Sequence, residues 1–104
     1  MKRYVSEDAL DMKQDVPKLV VTAGSQLTLE DNTEYRLQNV STLAVLFPQG
    51  NFDAWMRVNF AASGNVSLSM PSSTQYIGAA PAFKAGETWE LSIKDGVAIC
   101  WRVA

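Results

Sequence analysis

The chain has 104 residues, 47% of them hydrophobic and 19% charged, with a formal net charge of −2. That length suits one domain, the composition excludes disorder over most of it, and the lack of a basic face disfavours binding to nucleic-acid phosphates. Histidine is absent and cysteine occurs once, at Cys100, which removes the commonest general base and metal ligand, the usual partner of a Ser or Cys nucleophile, and any internal disulfide.

No apolar run approaches the length of a membrane span, and the first ten residues lack the apolar core of a secretion signal. The expectation is synthesis in a cytoplasm and no membrane partner. Residues 1–17 read as an N-terminal arm. Ser6 is placed to cap a short helix with Glu7 and Asp8 in its first turn and Val16-Pro17 at its end. Yet Val5, Leu10, Met12 and Val16 make no apolar stripe, so the arm is either ordered by a partner or simply a frayed end.

From Lys18 to Ala104 short strands follow one another. Leu19 to Thr22 and Leu27 to Glu30 flank Ala23-Gly24-Ser25; Tyr35 and Leu37 alternate with Glu34 and Arg36 after the turn residues Asp31-Asn32-Thr33. Leu43, Val45 and Phe47 give the next apolar parity, stopped by Pro48-Gln49-Gly50-Asn51. In the longest strand, Phe52, Ala54, Met56, Val58 and Phe60 form the inward set, and Asp53, Trp55, Arg57 and Asn59 point the other way. A three-residue loop at Ala62-Ser63-Gly64 would pair Phe60 with Val66, Val58 with Leu68 and Met56 with Met70. Tyr76-Ile77 is a short strand between loops.

The last third carries the strongest alternation. Trp89, Leu91 and Ile93 share one parity, and Val97, Ile99, Trp101 and Val103 repeat it after Asp95-Gly96. A three-residue loop, Lys94-Asp95-Gly96, pairs Ile93 with Val97, Leu91 with Ile99 and Trp89 with Trp101, and so gathers every large residue on one core face. A two-residue Asp-Gly loop puts the two sets on opposite faces. The first register is the expected one. The whole then reads as all-β: about eight or nine short strands in an antiparallel β-sandwich, jelly-roll-like, over residues 18–104.

Chemistry is sparse. Glu34, Glu87 and Glu90 sit beside apolar strand positions, but alternation sends Glu90 outward among Thr88 and Ser92, where a solvated or cross-strand-paired carboxylate is the plain reading. No metal-ligand spacing appears, and no cofactor is implied. The anomaly is Trp55, outward between Asp53 and Arg57. Three readings stand: a subunit interface formed by Asp53, Trp55 and Arg57, a strand buried on both faces, or a sugar-stacking site shared with Tyr76.

With these residues in view, a family resemblance emerges. Asn32-Thr33-Glu34-Tyr35-Arg36-Leu37, Phe47-Pro48-Gln49-Gly50-Asn51-Phe52 and Leu68-Ser69-Met70-Pro71-Ser72-Ser73 resemble segments of short β-domains in virion proteins of tailed bacteriophages and prophages. Tyr76-Ile77-Gly78, Pro81-Ala82-Phe83, the run from Gly86 to Ile93 and Asp95-Gly96 carry most of the likeness. It covers about Thr33 to Val103 and consists of strand and turn residues rather than a catalytic signature. The resemblance implies a non-enzymatic virion component of head-fibre, capsid-decoration or tail-appendage type, a homotrimer attached to a capsid or tail protein by its N-terminal arm. Lys2, Arg3, Tyr4 and Val5 would then make the attachment. The chain departs from long fibres in having no coiled coil or repetitive shaft. Two other classes remain open at this point: a module that binds a host-surface glycan, and a small inhibitor of a host protein.

Overall fold

A computed structural model describes residues 17–104; the expectations for the arm before Pro17, including the attachment role of Lys2, Arg3, Tyr4 and Val5, lie outside the described residues. Nine strands follow: β1 (Lys18–Val20), β2 (Gln26–Thr28), β3 (Thr33–Val40), β4 (Thr42–Leu46), β5 (Asp53–Phe60), β6 (Ser67–Ser69), β7 (Gln75–Tyr76), β8 (Thr88–Lys94) and β9 (Val97–Arg102). The described residues contain no helix.

The strands form a six-stranded sheet in the order β1-β3-β5-β8-β9-β7 and a three-stranded sheet in the order β2-β4-β6. The chain alternates between the two sheets, laying each new strand parallel to the one placed before it. Thus β1, β3 and β5 stack in parallel in the first sheet, and β2, β4 and β6 do so in the second. This is solenoid-like winding. It ends at β5, whose other neighbour β8 is antiparallel, and β8 turns back into β9. β7 then closes the far side of the large sheet, parallel to β9.

Alternation accounts for the core. In β5 the residues Ala54, Met56, Val58 and Phe60 are buried, while Asp53 and Arg57 are exposed and Trp55 and Asn59 half-buried. Tyr35 and Leu37 of β3, Leu91 and Ile93 of β8, and Leu43 and Val45 of β4 bury the same way, and all join one cluster between the two sheets. Each such side chain contributes about 1.5–3 kcal/mol on full burial. Tyr35 adds a polar anchor: its hydroxyl accepts a hydrogen bond from Glu30 N–H at 2.8 Å, and burial, opposed by that bond, holds the phenol pKa above its ordinary value.

Three expectations are corrected. The fold is all-β, but it is not an antiparallel jelly-roll-like sandwich, because β1 to β6 pair in parallel across sheets visited in turn. Residues 61–66 do not close a hairpin: β6 leaves for the second sheet, where Leu43 pairs with Leu68, and β8 takes the place beside β5. The loop between β8 and β9 has two residues, not three. Asp95 and Gly96 take φ values of 52° and 84°, the left-handed pair that a tight type I′ hairpin requires. Lys94 therefore pairs with Val97, Ser92 with Ile99 and Leu91 with Cys100. The small residues Ala98 and Cys100 turn inward, and Ile99 and Trp101 turn out.

Candidate binding face

The outer surface of the six-stranded sheet has no second layer among the described residues. Strand register aligns its side chains in rows. One row runs Leu19, Glu34, Trp55, Ser92, Ile99 across β1, β3, β5, β8 and β9. The next runs Arg36, Arg57, Glu90, Trp101. Ile77, just beyond β7, bonds through its N–H to Ala98 C=O at 3.0 Å and so continues the parallel register beside Ile99.

The charges on this face are paired with one another. Arg57 donates to Glu90 at 3.0 Å, and the other Glu90 oxygen accepts from the Trp101 indole N–H at 3.0 Å. Arg36 is ion-paired with Glu34, and its guanidinium lies 6.0 Å from the centre of the Trp55 ring, within reach of a cation–π attraction. Asp53 stands opposite Lys94 at the sheet's end, and its N–H donates to the Asp31 carboxylate at 2.9 Å. Of the residues singled out by sequence, the structure brings Trp55 and Arg57 onto one face and sets Asp53 at its rim. Tyr76 does not join them. Its register partner is Ala98, on the inner side, where its ring packs against the core and burial raises its phenol pKa.

The third candidate acid, Glu87, lies apart, accepting from the Trp89 indole at 2.9 Å and from Arg102 at 3.1 Å. These bonds, the indole's first, hold its carboxyl below the usual range against the opposing effect of partial burial. No group of three or more Cys, Asp or Glu residues is arranged to hold a metal ion among the described residues. Cys100, on the inner face of β9, has its thiol pushed up to about 11 by burial, the environment of an inert packing residue rather than a nucleophile.

Two depressions mark the face. A groove of about 390 Å³ is lined by Arg36, Leu37, Gln38, Arg57, Asn59 and Thr88. A larger open notch, about 700 Å³, lies where the chain passes from β1 to β2 and from β3 to β4, and shares Arg36, Leu37 and Gln38 with it.

Comparison with protein-family models, curated proteins and solved structures finds no match.

The reading of the site therefore rests on its own geometry. Sequence reasoning found Trp55 and Arg57 and missed Ile99, Trp101 and Arg36. The signal for the first two was the Asp95-Gly96 dipeptide, which favours a two-residue hairpin and would have turned both onto the Trp55 side. Arg36 is visible only once β3 is known to lie beside β5. The resulting surface sets two tryptophans and two arginines side by side, with a groove between β3 and β5.

Proposed function

We propose that the chain is a non-enzymatic bacteriophage virion structural protein of head-fibre, capsid-decoration or tail-appendage type, assembling as a homotrimer. The observation that carries the assembly role is one apolar strip. Ile77, Ile99 and Trp101 are 61%, 42% and 40% exposed on the adjacent β7 and β9 register, and exposed Val103 follows on the same parity. Single exposed hydrophobic residues are ordinary, whereas a contiguous set at one side of an uncovered sheet marks a contact surface.

On this reading the strip, rather than the Asp53, Trp55 and Arg57 set, forms the subunit contact. Trp55 is half-covered beside Arg36, and Arg57 is held by Glu90. A heterologous contact through β9, closing a three-fold ring, would bury Trp101 together with its hydrogen-bonded Glu90, an aromatic anchor with a satisfied polar end. The virion setting and the three-fold symmetry come from the resemblance over Thr33 to Val103.

Native mass spectrometry of the purified protein and of Ile99→Asp tests the assembly. A trimer that the substitution dissociates is the expected result. A wild-type monomer at every working concentration, with a folded circular-dichroism spectrum, removes the assembly role.

A further inference from the structure

A second part of the outer face is built differently from the apolar strip. Arg36 and Arg57 are direct register partners on the parallel strands β3 and β5, so their backbones are about 4.8 Å apart and their side chains share one surface. Like charges placed opposite each other on neighbouring strands are destabilising unless something neutralises them. Glu34 and Glu90 do this in part, each engaging one guanidinium nitrogen. A guanidinium carries five N–H donors, and one carboxylate contact leaves most of them for another acceptor.

Arg36 and Arg57 both line the open 390 Å³ groove. Its polar lining consists of Arg36, Arg57, Gln38, Asn59 and Thr88, with no carboxylate among them. Asn59 is fixed by a bond from its amide nitrogen to the Thr88 hydroxyl at 2.8 Å. Trp55 lies two residues before Arg57 on the same face of β5, with the Arg36 guanidinium over its ring. Two cations and two carboxamides thus line a space open to solvent, and the indole stands beside it, on the far side of the Arg36 guanidinium.

We propose that this groove binds an acidic sugar, a pyranose bearing a carboxylate as in uronic or sialic acid residues of a surface glycan. The carboxylate bridges Arg36 and Arg57, and the groove amides take ring hydroxyls. Drawing Arg36 toward the carboxylate uncovers the Trp55 indole, whose face then stacks on the sugar C–H groups. A phosphate polyanion fits less well. The chain is net negative, and Glu34 and Glu90 are ion-paired with the two arginines on the same face, so a long run of phosphates meets repulsion that a single carboxylate avoids. The groove, at β3–β5 and the start of β8, and the apolar strip, at β9–β7, share no lining residue, and they meet at Glu90, which pairs with Arg57 on one side and Trp101 on the other.

Calorimetric titration with free galacturonate and with sialyllactose, each bearing one carboxylate, against neutral lactose, tests the proposal on the full chain. Saturable binding of either acidic sugar and rejection of lactose is the expected result. Arg57→Gln and Arg36→Gln, both at exposed positions, should each weaken it by about tenfold or more, and Trp55→Ala should weaken it while circular dichroism stays unchanged. Ile99→Asp should leave binding intact even where it alters the oligomer mass, which separates this site from the assembly surface. Failure of both acidic sugars to bind, equal binding of lactose, or displacement by inorganic phosphate at the same concentration as by free galacturonate overturns the proposal. Dissociation of an oligomer by Arg36→Gln, at a residue with no bond to the β9 strip through Glu90, also overturns it, because the groove is then a contact between copies.

Discussion

Asp95 and Phe52 are joined by two hydrogen bonds of opposite sense: Phe52 N–H donates to the Asp95 carboxylate at 2.8 Å, and Asp95 N–H donates to Phe52 C=O at 2.9 Å. The turn of the β8–β9 hairpin is thereby fastened to the start of β5, forty-three residues earlier. Replacing Asp95 by Ala removes the side-chain bond and places a poor residue at a positive φ, so Asp95→Ala should cost about 1–2 kcal/mol. Asp95→Asn keeps an acceptor oxygen and tolerates the left-handed conformation, and should be close to neutral. Urea unfolding of both variants checks the difference.

Met56 is fully buried and lies between Tyr35 and Leu91 in the sheet register. Met56→Ala should lower stability by about 2–5 kcal/mol, the cost of lost transfer energy plus a residual cavity. Arg57→Ala, one position along and exposed, should cost much less because its guanidinium is about half exposed and leaves no core cavity. Thermal melts of the two neighbours give the contrast between inner and outer faces directly.

Cys100 should resist thiol reagents. With its thiol raised to about 11 by burial, almost none is thiolate at neutral pH, and the thiolate is the reacting form. Modification by a disulfide reagent should be slow in the native protein and fast in denaturant. Rapid native-state labelling would contradict the inward orientation of β9's small residues.

Glu87 ties acid stability to the core's edge. Its folded carboxyl lies below the ordinary value of 4.5, held there first by the Trp89 indole and then by Arg102. The folded state therefore releases this proton more readily than the unfolded chain does. The stabilisation is fully present above the ordinary value and is lost as pH falls through the lowered one. Glu87→Gln should unfold more easily than wild type at neutral pH, and the gap should narrow below pH 4.5. Melting temperatures across that range provide the measurement.

Much of the inner layer was legible from the sequence. The parity of β5, with Met56 and Val58 inward and Trp55 outward, follows from the alternation of residues alone. Strand direction was not legible, because a strand alternates identically whether its neighbour runs parallel or antiparallel. The stacked positions Lys18, Thr33 and Ala54 are unevenly spaced, so no regular repeat betrays the winding. The register of β9 failed for a different reason. Gathering Ile99 and Trp101 into the core maximised apolar burial, whereas the Asp95-Gly96 turn, which is local and geometrically strict, decided against it. Half of the candidate face depended on that turn, and Arg36 depended on the parallel pairing of β3 with β5.

The winding also gives the molecule a mechanical direction. β5 is held on both sides along nearly its whole length, by β3 and by β8, whereas β1 and β2 are three-residue strands each paired on one side. Amide exchange should therefore slow in steps from Lys18 toward Met56, since opening proceeds from the least-supported coil. A tension applied through the chain ahead of Lys18 loads that coil first, and β1 peels from β3 while the sheet around β5, with its outward side chains, keeps its shape.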